Sequence, residues 1–204
     1  MNNSSHRFAS AFFLAVIAAF LSPTSQAAGL IGHRYIGASY EWTRVESAAF
    51  DHGSGFSAIA NQPMSDDLDL TASYLHARKD SARPATSDVS SDEFFLAGTF
   101  LGSSEEGIPY LRLGLGWAQT KSGGVKNDSF MHSIEIGAEL SAGRDGSVSP
   151  FVNWRDSFDG KIDGTLSYGL RGEYSCSRSC SVIGKIAGDD HFNWTGGIGL
   201  ALKF

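Results

Sequence analysis

From Ile36 the chain alternates: Ile36, Ala38, Tyr40 and Trp42 are apolar, while Gly37, Ser39, Glu41 and Thr43 between them are small or polar. A period of two sends neighbouring side chains to opposite faces of a β-strand. The pattern returns along the chain. Leu68, Leu70, Ala72 and Tyr74 oppose Asp69, Thr71 and Ser73. Leu111, Leu113, Leu115 and Trp117 oppose Arg112, Gly114 and Gly116. Ile134, Ile136, Ala138 and Leu140 oppose Ser133, Glu135, Gly137 and Glu139. Leu166, Tyr168 and Leu170 oppose Ser167, Gly169 and Arg171. Trp194, Ile198, Leu200, Leu202 and Phe204 oppose Asn193, Thr195, Gly197, Gly199 and Lys203. Shorter runs at 55–63, 92–101, 149–156 and 181–188 bring the prediction to about ten strands, with eight or twelve as the alternatives.

Turn-forming stretches separate the runs: NQPMSDD, SSEEG, GRDGS, DGKIDG and GDD. Pro63, Pro84, Pro109 and Pro150 fall in connections or at strand starts, where no ladder donor is needed. No segment carries a helical period.

One segment stands apart. Phe8–Leu21 is a continuous apolar run behind Arg7, followed by Pro23 and by small residues at Ser25 and Ala27. This predicts a secretory signal peptide over 1–27, cleaved after Ala27. The run is shorter than the ~20 residues a membrane helix needs. The remaining domain is 28–204.

The apolar faces could point inward, as in a soluble sandwich or lipocalin-like carrier, or outward to lipid, as in an outer-membrane barrel. Three features favour the barrel. The polar faces are rich in Gly, Ser and Thr with single charges, which suits a narrow interior better than a solvated surface. The connections alternate, with short turns at 62–67, 102–107, 142–148 and 175–180 and longer outer loops at 76–92 and over KSGGVKND (121–128). Finally, Trp42, Trp117, Trp154 and Trp194 map to the outer strand ends, and Tyr110, Phe151, Tyr174 and Phe204 to the inner ends. Two aromatic bands around a Leu/Ile belt are interfacial girdles.

The closing segment NWTGGIGLALKF resembles the last strand of bacterial outer-membrane β-barrels. GTLSYGLRGEYS and SVIGKIAGDDHFNWTGGIGLALKF resemble the final strands of small porin-like barrels. LDLTASYLHAR and GIPYLRLGLGWAQT are similar in style to that family and to OmpA-like barrels. The resemblance implies an outer-membrane location and a Phe204 read by the barrel assembly machinery. The segment CSRSC (176–180) departs from it, because a plain polar turn is expected there.

Composition adds limits. The net charge of −6 excludes a general nucleic-acid binder, and 24 Gly in 204 residues fits tight hairpins and a crowded interior. Cys176 and Cys180 predict a local disulfide in an oxidising compartment; a redox or metal pair is the alternative, but no His or third Cys accompanies them. The charges expected inside are Glu41, Asp69, Glu135, Glu139 and Glu173 with Arg112, Arg155, Arg171, Lys185 and Lys203. Five acids facing five bases predict an ion-pair network that fills the lumen; a charged pore is the alternative.

His52, His76, His132 and His191 map near the outer rim, with Asp189 and Asp190 beside His191. A rim hydrolase acting on protein or lipid would use such groups, but Asp and His are also ordinary turn residues. His132 and Ser133, as neighbours on one strand, face opposite ways and form no dyad. Arg78, Lys79 and Arg83 with Asp80, Asp88 and Asp92 make the 76–92 segment either a solvated loop or a contact for lipopolysaccharide phosphates. The expectation is a non-enzymatic outer-membrane barrel without cofactor or metal. Its role would be structural, adhesive or porin-like.

Overall fold

The computed structural model describes residues 29–45, 50–82 and 87–204. The expected signal peptide and Arg83 lie outside them. Ten strands are present among the described residues: β1 (Tyr35–Arg44), β2 (Phe50–Ser65), β3 (Leu68–Ser81), β4 (Val89–Leu101), β5 (Gly107–Ser122), β6 (Val125–Ser141), β7 (Gly146–Ser157), β8 (Thr165–Ser177), β9 (Cys180–Asp189) and β10 (Trp194–Lys203). Each pairs antiparallel with its neighbour in sequence. β1 pairs with β10, which closes the sheet into a barrel. Closure leaves no free sheet edge along the wall.

Register follows the alternation. Across β1 and β10, Ile36 lies opposite Leu202, Ala38 opposite Leu200 and Tyr40 opposite Ile198. Across β5 and β6, Leu111 meets Ile136 and Leu113 meets Ile134. These side chains cover the outside: Ile36, Leu115, Ile136 and Ile198 are all more than half exposed. The opposite face, with Glu41, Asp69, Glu135, Glu139 and Glu173, is buried. The barrel is therefore apolar outside and polar inside, the reverse of a soluble lipocalin-like carrier. A one-residue slip would invert both surfaces, so the register is strongly specified.

Glycine lets the walls approach one another at the closing seam. A Cβ on Gly199 would strike the Ala38 carbonyl oxygen and lie 2.5 Å from Ser39 Cβ.

Several expectations change. The 76–92 segment is not a long loop. β3 continues to Ser81 and β4 starts at Val89, with Arg78 opposite Ser90 and Lys79 opposite Val89. KSGGVKND is likewise strand, turned by Gly123 and Gly124 at φ +55° and +83°. Two consecutive left-handed residues make the tight turn whose twist matches a hairpin, so polar strand tips need no longer connection. Tyr110 is not part of the inner girdle. It is in phase with Arg112, and it faces the lumen at 4% exposure. Phe151 also points inward and is buried. Trp42, Trp154, Trp194 and Tyr174 remain on the outside, as does the half-buried Trp117.

The expected disulfide is not formed: Cys176 and Cys180 are free thiols. The hairpin continues pairing almost to its tip, and a bulge between Ser175 and Ser177 sets Ser177, not Cys176, opposite Cys180.

Filling the seam tests closure. Gly199→Val should cost roughly 1–3 kcal/mol through overpacking, read as a lower urea midpoint, while Gly124→Asn at the exposed tip should cost much less.

Candidate functional site: the lumen and the outer rim

The lumen is crossed by ion pairs. Glu135 on β6, 2% exposed, is its centre. Arg171 on β8 reaches past β7 and grips the carboxylate with two nitrogens, at 2.7 and 2.6 Å. Arg112 on β5 donates at 3.3 Å from the other side. Asn153 adds a hydrogen bond at 3.2 Å. The guanidiniums are held in turn. Arg112 Nε donates to Thr99 at 2.9 Å, Arg171 donates to the Tyr110 hydroxyl at 3.2 Å, and Arg171 stacks 4.0 Å from the centre of the Phe151 ring. The planar two-pronged fit suits arginine and carboxylate.

Three further pairs span the lumen. Lys185 on β9 meets Glu41 on β1 at 3.2 Å. Lys203 on β10 meets Glu173 on β8 at 2.6 Å. Arg155 on β7 binds Glu93 on β4, three strands away. Glu41, Asp69, Glu135, Glu139 and Glu173 are buried, and Arg112, Arg155, Arg171, Lys185 and Lys203 each reach a carboxylate. The structure adds Glu93, which the sequence reading missed because Asp92 and Glu93 are adjacent charges with no apolar partner to fix their phase.

Asp69 and Glu139 are held differently, by a strap of backbone. The chain before β1 turns into the inner mouth of the barrel. Leu30 and Ile31 donate their N–H groups to Glu139 Oε2 at 3.0 and 3.4 Å. Gly32 donates to Asp69 Oδ2 at 2.9 Å. Asn61 Nδ2 lies 2.9 Å from both Asp69 and the His33 carbonyl, and Thr71 donates to Asn61 Oδ1 at 2.7 Å. The strap uses Gly32 in a left-handed conformation, φ +74°. No periodicity announces it, because its bonds come from main-chain groups. Above it remains a cavity of about 330 Å³, lined by Leu30, Tyr35, Arg112, Arg155, Lys185 and other inward residues.

The outer rim is built from the tall hairpins. Asp92 on β4 accepts hydrogen bonds from the Tyr74 hydroxyl and from His76 Nδ1, both at 2.8 Å. Arg78 bonds Asp88 at 2.6 Å and Asp80 at 3.1 Å, and Asp80 also meets His52 at 3.1 Å. His132 points outward and packs its ring on Trp154 and Phe158, while Ser133 points inward. Asp189 braces its own hairpin by accepting from His191 N and Asn193 N, each at 2.9 Å. Asp190 and His191 sit on the same exposed turn, 3.0 Å apart. The four histidines thus have separate surroundings and do not assemble into one constellation.

The 158–164 connection is clasped to β6. Phe158 N donates to the Phe130 carbonyl, and Asp159 accepts from Ser129 Oγ and pairs with Lys161 at 2.8 Å. The bonds from Lys161 and Ser129 hold the Asp159 carboxyl down to about 2.

Comparison with known proteins follows from this geometry. No protein-family model matches the chain, and no curated protein matches it in sequence. Among solved structures it is similar to the translocator domain of the autotransporter NalP from Neisseria meningitidis, with a TM-score of 0.51 and 9% identity over 98% of this chain and 96% of that one. It is also similar to the COG4313 outer membrane channel from Pseudomonas putida F1, with a TM-score of 0.52 and 8% identity over 90% of this chain and 100% of that one. These likenesses show the barrel fold.

Two tests follow. Glu135→Gln leaves two half-buried guanidiniums facing one neutral amide and should cost about 3 kcal/mol in urea unfolding, whereas Asp88→Asn at the exposed Arg78 pair should cost about 0–1 kcal/mol. Asp159 has a folded pKa below its ordinary value, so its clasp is fully present above the normal carboxylate range and is lost as pH falls through about 2. Hydrogen exchange at Phe158 N should therefore stay slow down to pH 4 and speed up only near pH 2.

Proposed function

We propose that this chain is an integral β-barrel of a bacterial outer membrane, shut in its ground state, whose interaction surface is the outer rim. The observation that carries the reading is the inversion of polarity. A continuous apolar belt with Trp42, Trp154 and Trp194 on the outside would be a severe liability in water and is what lipid requires. The cross-lumen pairs of Glu135, Glu93, Glu41 and Glu173, with the strap at the inner mouth, support a closed lumen. The barrel is then a platform rather than a pore. Its role is structural or adhesive, and it has no catalytic function.

The partners follow from the same surfaces. Lipid covers the belt. Lipopolysaccharide phosphates meet Arg78, Lys79 and Lys121 on the raised hairpins, which carry these cations where headgroups would lie. Phe204, exposed and in phase with Leu202 and Leu200, is offered to the barrel assembly machinery.

A second reading is a small channel, favoured by the cavity of about 330 Å³ that remains between the pairs. Such a channel would need charges that part in passing.

Heat-modifiable gel mobility tests the membrane barrel: the membrane-fraction protein should migrate differently before and after boiling. A protein found in the soluble periplasmic fraction, with unchanged mobility, would sink the reading. Planar bilayers separate the two roles. The closed platform gives no discrete conductance. Steps that change in Arg155→Ala or Glu135→Ala would establish the channel instead.

A further inference from the structure

The buried side-chain atoms that the lumen wall leaves unmatched are all of one kind. Among the described residues they are Asp69 Oδ1, Glu139 Oε1, Asn153 Oδ1 and Glu173 Oε2, four acceptors and no donor. Charge is one-sided in the same region. Glu41, Glu93 and Glu135 are matched by Lys185, Arg155 and the two arginines. Around the strap, Asp69, Glu139 and Glu173 have one ammonium among them, that of Lys203 on Glu173. Buried carboxylates in this condition are costly unless a further cation joins them.

Two of these acids line one cavity. Glu173 lies opposite Ser147 on β7, and Ser147 lies opposite Ser141, two residues along β6 from Glu139. Ser147 and Ser149 face inward on the strand between the two acids and are buried with them; Glu139 is 3% exposed and Glu173 8%. All four residues line the cavity of about 330 Å³ at the end where Leu30 and Ile31 of the strap also line it. Each acid has one oxygen engaged and one bare. Glu139 Oε2 accepts from the Leu30 and Ile31 N–H groups, and Glu173 Oε1 pairs with Lys203. Asp69, on the next strap amide, adds its charge nearby.

The chemistry of this wall narrows the ligand. No His or Cys lines the cavity, and its strap end offers carboxylates and hydroxyls. Oxygen donors alone select a hard cation. Calcium accepts irregular sets of protein oxygens and water, whereas magnesium demands a near-octahedral set. A water takes about 30 Å³, so the cavity has room for an ion with part of its hydration shell.

We propose that Glu139 and Glu173, with the Ser147 and Ser149 hydroxyls between them, hold one calcium ion at the strap end of the lumen. The ion takes the oxygens that the side chains leave bare, and its two charges offset Asp69 and Glu139, the carboxylates that no side-chain cation meets. It also fixes the group that receives the strap. With Oε1 on the ion, Oε2 stays turned to the Leu30 and Ile31 amides. Calcium thereby sets how firmly the inner mouth is shut.

The protein purified from membranes, stripped with a chelator and kept at constant ionic strength, tests this. Equilibrium dialysis against radiolabelled calcium should find one ion per chain, and excess magnesium should displace it poorly; no retained calcium overturns the proposal. Glu139→Gln should weaken binding about tenfold or more, and Asp190→Asn, on the exposed turn with Asp189 and His191, less than about twofold. The reverse order puts the ion on the outer turn and overturns the lumen site. Hydrogen exchange locates the ion on the unaltered chain, so the test survives a Glu139→Gln protein that fails to fold. In calcium at about ten times its Kd, the Leu30 and Ile31 amides should exchange about tenfold more slowly than in chelator, while the His191 amide, bonded to Asp189, should not change. Unchanged exchange at Leu30 and Ile31 refutes the site.

Discussion

Closing β1 onto β10 with the apolar faces outward deprives the polar faces of bulk water, and the rest of the structure answers to that constraint. Every charge turned inward must be met by another side chain or by backbone. Glu135 shows the solution in its fullest form, with Arg171 and Arg112 on either side and Asn153 filling a remaining direction. The arginines are fixed by Thr99, Tyr110 and Phe151, so the network is rigid beyond its charges. The small residues on the same faces have the same cause. Gly114 and Gly116 leave the volume that the Phe95 ring on the neighbouring strand occupies, and a Cβ on Gly137 would lie 2.5 Å from the Tyr110 hydroxyl.

The two ends of the barrel meet the constraint differently. The inner end is sealed by the strap, whose N–H groups serve Glu139 and Asp69. The outer end rises beyond the aromatic belt on the β5–β6 hairpin, whose strands have 16 and 17 residues, while β9 and β10 have 10 each. Ion pairs at the outer end, such as Arg78 on β3 with Asp88, are exposed and contribute little to stability. The result is a rigid base with a wall of variable height that is free to carry recognition.

Much of this was legible in the chain. The ten strands, their in-and-out sorting and the ten interior charges all follow from period two, because facing is a local property of an extended backbone. The errors also have physical causes. Polar composition at 76–92 and 121–128 looked like loop, yet strand tips that leave the membrane are polar while remaining paired. The aromatic character of Tyr110 suggests the girdle, but its phase with Arg112 turns it into the lumen. Proximity in sequence suggests a bond between Cys176 and Cys180, whereas the bulge decides what faces what. The strap has no pattern to read, since its contacts use main-chain donors.

The sequence by itself determined which residues face lipid and which face the lumen, since alternation requires nothing beyond neighbouring residues. Only the tertiary structure decided which charges meet. Arg155 and Glu93 are 62 residues apart and Lys185 and Glu41 are 144 apart, and each pair exists because barrel closure and stagger bring distant strands to the same height. The same closure leaves one oxygen each of Asp69, Glu139 and Glu173 buried without a partner, a fact that depends on where every cation in the lumen has already been placed.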